Sequence, residues 1–65
     1  MSTTVMDLLQ RKLKEQEESH VQALAGGAVA DYAAYRELCG VIRGLQTAQR
    51  EVADLVRRLK DEDND

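Results

Sequence analysis

Residues 33–60 read AAYRELCGVIRGLQTAQREVADLVRRLK, and this stretch decides the fold. Leu38, Leu45, Val52 and Leu59 recur every seven residues. Ala34, Val41, Ala48 and Leu55 do the same, and Tyr35, Ile42, Gln49 and Val56 form a third row, apolar except at Gln49. A seven-residue recurrence with three- and four-residue steps is the mark of an α-helix that buries one face. Three adjacent rows make that face wider than a two-stranded coiled-coil seam needs. The stretch contains no proline, so one helix from about residue 30 to about residue 60 is expected. Asp31 suits its N-cap or first turn.

Working backwards from this helix, Gly26-Gly27 reads as a stop signal for an earlier one. That first helix is expected over about residues 4–25, with the turn at 26–29. Thr4 or Thr3 can cap it, with Asp7 placed to favour its N-terminus. Its apolar stripe runs Met6, Leu9, Leu13, weakens around Gln16, and resumes at His20, Ala23 and Leu24. The other face is charged, with Asp7–Arg11, Arg11–Glu15 and Lys14–Glu18 spaced to pair at about 0.2–0.5 kcal/mol each.

The expected fold is therefore all-α: a two-helix antiparallel hairpin spanning 1–60 with a longer second helix, followed by an acidic, disordered tail at 61–65. The tail carries four acids and no base. Acids at a helix C-terminus oppose the macrodipole, so fraying is expected there. Leu9, Leu13, Leu24, Tyr35, Leu38 and Ile42 are the expected hairpin core, with Tyr32 and Tyr35 plugging its base against Val21 and Leu24. Tyr32 exposed at an interface is the alternative.

Sixty-five residues bury too little surface to be more than marginally stable alone. Chains of this size usually recruit disulfides, a metal or a partner. Cys39 is the only cysteine and His20 the only histidine, which excludes an internal disulfide and argues against a metal. Oligomerisation or docking on a larger protein remains. The first helix covers only part of the second, so Leu45, Ala48, Val52, Leu55, Val56 and Leu59, beside Gly40 and Gly44, are the expected partner interface. The C-terminal part of this stretch is expected to overhang the hairpin. The G-x-x-x-G pair either lets a neighbouring backbone approach or is a tolerated weakness of about 1 kcal/mol per glycine.

Function classes narrow in the same way. Nothing here has the spacing of a nucleophile with its base, a phosphate loop or a metal set, so no enzyme and no cofactor are expected. Cys39 reads as a small packed residue and His20 as an edge residue near the turn, with a pH-sensitive interface histidine the alternative. Arg36, Arg43, Arg50 and Arg57 form a seven-residue row that reads as a solvated face with pairs such as Arg50–Asp54; an anchor for an acidic partner surface or phosphates is the alternative. The net charge of −3 and the acidic tail argue against nucleic acid, and no apolar run is long enough to span a bilayer. A lone cysteine without a secretory signal fits a reducing compartment.

The order Leu24-Ala25-Gly26-Gly27, then Asp31-Tyr32-x-x-Tyr35-Arg36-x-Leu38-x-Gly40-x-Ile42-x-Gly44-Leu45, resembles small helical-hairpin proteins of tailed bacteriophages encoded among head and connector genes. The likeness covers about residues 5–58, and the acidic tail is not part of it. It implies a virion or assembly component repeated around a ring or shell, located in the virion or the host cytoplasm. Tyr32, Tyr35, Gly40 and Gly44 would then be structural or interface positions. Two functional expectations follow: a non-enzymatic structural protein docked on a head, portal or connector oligomer, or a small homodimeric four-helix-bundle regulator binding protein or RNA.

Overall fold

A computed structural model describes residues 4–27 and 29–63, with side chains through Asp61. Helix α1 spans Val5–Ala25 and helix α2 spans Tyr32–Asp63. They pack against each other as a hairpin with extents of 52 × 18 × 13 Å. A helix of 32 residues is itself about 48 Å long, so α2 sets the length of the molecule.

Local chemistry accounts for three of the four helix ends. Thr4 Oγ1 accepts from the Asp7 backbone N–H at 3.1 Å, and the Asp7 carboxylate accepts from the Thr4 N–H at 3.2 Å. This reciprocal box satisfies two donors at the start of α1. Gly26 ends α1 with its N–H donating to the Gln22 carbonyl at 2.8 Å. The left-handed residue is Gly27, at φ 75°, a conformation that costs a glycine little. At the start of α2, Asp31 accepts from the Ala34 N–H at 2.8 Å through its side chain and from the Tyr35 N–H at 3.0 Å through its carbonyl.

Two helix boundaries differ from the sequence reading. The Asp31 cap sets the start of α2 at Tyr32 rather than residue 30, so the connection reaches Asp31. Ala28, within the expected turn, and Thr3, the alternative cap, lie outside the described residues. At the other end α2 continues through Asp63. The first three residues of the expected disordered tail thus extend the helix, with Lys60 in its last turn to offset the acids. Asn64 and Asp65 lie outside the described residues.

The register is set by two contacts. Gln46 Nε2 donates to Glu17 Oε2 at 2.9 Å, and Gln49 Nε2 donates to Glu17 Oε1 at 2.8 Å. Counting outward from Glu17 at equal rise, the first turn of α1 comes level with Leu59. The C-terminal part of α2 therefore does not overhang α1, contrary to the expectation from the relative helix lengths. The excess length lies at the opposite end, where Tyr32–Leu38 runs beside and past the turn.

Candidate protein-interaction surface

Most half-buried positions trace the seam between α1 and α2. On α1 they include Met6, Gln10, Leu13, Glu17, His20 and Leu24; on α2, Leu38, Ile42, Leu45, Gln49, Val52 and Val56. Both sets step by three and four, so two heptad faces meet. Leu13, Leu24, Leu38 and Ile42 are seam residues, as expected. Leu9 and Tyr35 are not: they are 40% and 44% exposed. The stripe through Met6, Leu9 and Leu13 looked continuous by hydropathy, but the seam passes through Gln10 instead.

The polar seam residues are partnered. Glu17, with its side chain only 14% exposed, takes both glutamine amides and lies 3.9 Å from Lys14 Nζ. The hydrogen bond from Gln49, and then that from Gln46, holds the Glu17 carboxyl below its ordinary value of 4.5. His20 Nδ1 sits 2.7 Å from the Gln16 carbonyl, so a protonated Nδ1 donates within its own helix.

The two tyrosines do not plug the hairpin base. Their rings stack on each other with centroids 6.2 Å apart, and Tyr32 is 72% exposed. The neighbouring Cys39 thiol raises the Tyr35 phenol above its ordinary value of 10.0. These residues line an open groove with Arg36, Gly40 and Arg43. Gly40 and Gly44 face open space, where an added Cβ would meet nothing within 4 Å. The i,i+4 pairs expected on α1, and Arg50–Asp54 on α2, are not among the ion pairs of the described residues. Asp54 pairs with Arg57 at 3.1 Å, and Asp7 serves the cap.

Of the expected interface residues, Leu45, Val52 and Val56 lie in the seam and Ala48 is half-buried beside it, while Leu55 and Leu59 are 45% and 44% exposed. The decisive feature is that no described residue is fully buried. Val5, Leu8 and Val21 of α1 and Val41 of α2 are also 41% to 79% exposed.

The two sides of the hairpin differ in chemistry. One carries the Glu17–Gln46–Gln49 cluster and adjoins the arginine row. The other is mainly apolar: Ala23, Val29, Ala34, Leu38 and Val41, with His20 and Glu37, line a groove between the helices at its turn end. Two heptads along each helix, the same side presents Leu9 and Leu55. Sequence periodicity had shown the α2 row on this side but not the α1 row that joins it, because Gln16 interrupts Leu9 and Ala23.

Among the described residues no group of three or more His, Cys, Asp or Glu side chains could hold a metal ion. No described helix is long and apolar enough to cross a membrane. No family model matches the chain, and no curated protein and no solved structure matches it.

Proposed function

We propose that this chain is a non-enzymatic structural or assembly protein whose hairpin is completed by packing against other protein chains. The observation that carries the reading is the absence of a fully buried residue among those described, beside a seam that half-buries both helices. A single layer of two helices leaves each with an apolar flank in water, and a second protein layer is the ordinary remedy. The grooves are open, and among the described residues none sets a nucleophile beside a base. The resemblance to phage hairpin proteins supplies the finer form of the reading: a virion component docked on a head, portal or connector oligomer.

Quantitative mass spectrometry of native assemblies purified from the source, under conditions that preserve them, tests this. The reading expects the chain in a fixed, symmetry-compatible ratio to a larger partner. Recovery of the chain entirely free, as a folded monomer, would contradict it.

A further inference from the structure

We infer that the layer covering the apolar side of this hairpin is a second copy of the same chain, giving a four-helix bundle as the unit of assembly. The inference rests on the reading above, that the hairpin needs other chains, and names the first of them.

The side in question presents Val41, Ala48 and Leu55 from α2 with Leu9, Gln16 and Ala23 from α1. Ala23 and Val41 share one groove, which fixes both rows on the same side of the seam. The outline of the hairpin is 52 × 18 Å, roughly 900 Å². Stable interfaces bury about 800 Å² on each partner, so the face has the area a dimer needs, provided that the partner covers nearly all of it. A partner with two antiparallel helices of the same length does so, and this chain is one. Stacking two such layers is the four-helix bundle, in which both flanking rows become interior.

The edges of the face also suit a copy. Glu37, Glu51 and Arg58 border the α2 row, and Lys12 borders the α1 row. A second copy can be turned onto the face about a twofold axis along the helices or across them. Along them, α2 stacks on the partner copy's α1, and Glu51 comes level with the Lys12 of that copy. Across them, with Ala48 at the centre, α2 stacks on its own counterpart and Glu37 comes level with the second Arg58. Both arrangements set unlike charges at the rim and close on themselves, as a twofold interface requires. The opposite side, with the Glu17 cluster and the arginine row, stays in water or meets the larger assembly.

Light scattering on the purified chain, with helicity read by circular dichroism, tests the inference together with two variants and one NMR experiment. The expected mass is that of two chains. Joint replacement Val41→Glu and Leu55→Glu is expected to weaken the dimer at least about tenfold, whereas Thr47→Glu, on the outward side of α2, leaves it intact. The double variant could fail by unfolding, so the wild-type chain supplies an independent readout. In a mixture of isotope-labelled and unlabelled copies, Val41 and Leu55 methyls are expected to show contacts to the other copy. A dimer whose inter-copy contacts fall on the Gln46 and Glu17 side overturns the inference. So does a single-chain mass at every concentration. In that last case an unfolded monomer leaves the need for another partner standing, and a folded helical monomer removes both readings.

Discussion

Gln49 and Glu17 are 32 positions apart in the chain, and the amide of one donates to the carboxylate of the other at 2.8 Å across the helix seam. Gln46 makes the second bond to the same carboxylate, at 2.9 Å. The relationship matters because the rest of the seam is unspecific. Aliphatic rows that repeat every seven residues pack nearly as well after a slip of one heptad. A slip moves Glu17 away from both glutamines and leaves a largely covered carboxylate without donors. The pair therefore selects one register among several of similar apolar content.

Replacing Glu17 with Leu tests that role. The apolar content of the seam rises, so thermal stability is expected to hold or increase. The loss appears in uniqueness: broadened or doubled amide resonances in a two-dimensional NMR spectrum, where the parent shows one set. A single sharp set for Glu17→Leu would show that the polar pair does not set the register.

The same carboxylate gives a pH signature. Its folded-state value lies below 4.5, so its contribution is present above the unfolded value and is lost as pH falls through the folded one. Helicity is expected to decline on acidification from about pH 5 downward. The other acids also titrate there, so Glu17→Gln is the comparison: its melting temperature should fall less between neutral and acidic pH than that of the parent. Equal losses in the two would remove Glu17 as a contributor.

At the start of α1, the capping box predicts that Thr4→Ala costs about 1 kcal/mol, read as a lower urea midpoint at fixed protein concentration. Thr4→Ser keeps the oxygen and is expected to recover most of it. An unchanged midpoint for Thr4→Ala would mean that the box is not formed in solution.

Three of the four glycines should separate into two groups. Gly27→Ala forces a side chain into a left-handed conformation and is expected to destabilise the hairpin by about 1 kcal/mol. Gly40→Ala and Gly44→Ala lie mid-helix with open space around an added Cβ, and each is expected to stabilise α2 by up to about 1 kcal/mol. Helicity that rises for these two variants while association weakens would instead place them against a neighbouring backbone.

These particulars also mark what the sequence made legible. The rows through Leu38 and Ile42, the Thr4–Asp7 pair and the Gly26-Gly27 stop are local signals, and each appears in the structure as a local feature. The α1 seam was harder to read, because Gln10, Glu17 and His20 occupy positions that a hydropathy stripe assigns to aliphatics. Leu9, at a helical step from Met6 and Leu13, took the place of Gln10 in that reading. Register was not legible from helix lengths, since these say that α2 exceeds α1 but not at which end. Tyr35 was misplaced for a related reason: it continues an α2 row, but that row passes beyond the end of α1 before reaching it. On the functional side, the α2 flank through Val41 and Leu55 was visible as a row. Its continuation onto Leu9 and Ala23 depends on how the helices face each other, which no single-helix pattern contains.

The central claim is that the hairpin is not self-sufficient and is completed by another chain, in the first instance its own copy. Thermal unfolding followed by circular dichroism over a wide range of protein concentration tests it most directly, since coupling to association makes the melting temperature depend on concentration. The account predicts a midpoint that climbs steadily with concentration, with helicity falling away at the dilute end. A cooperative midpoint that stays constant over the whole range, for a chain of monomer mass, would contradict it.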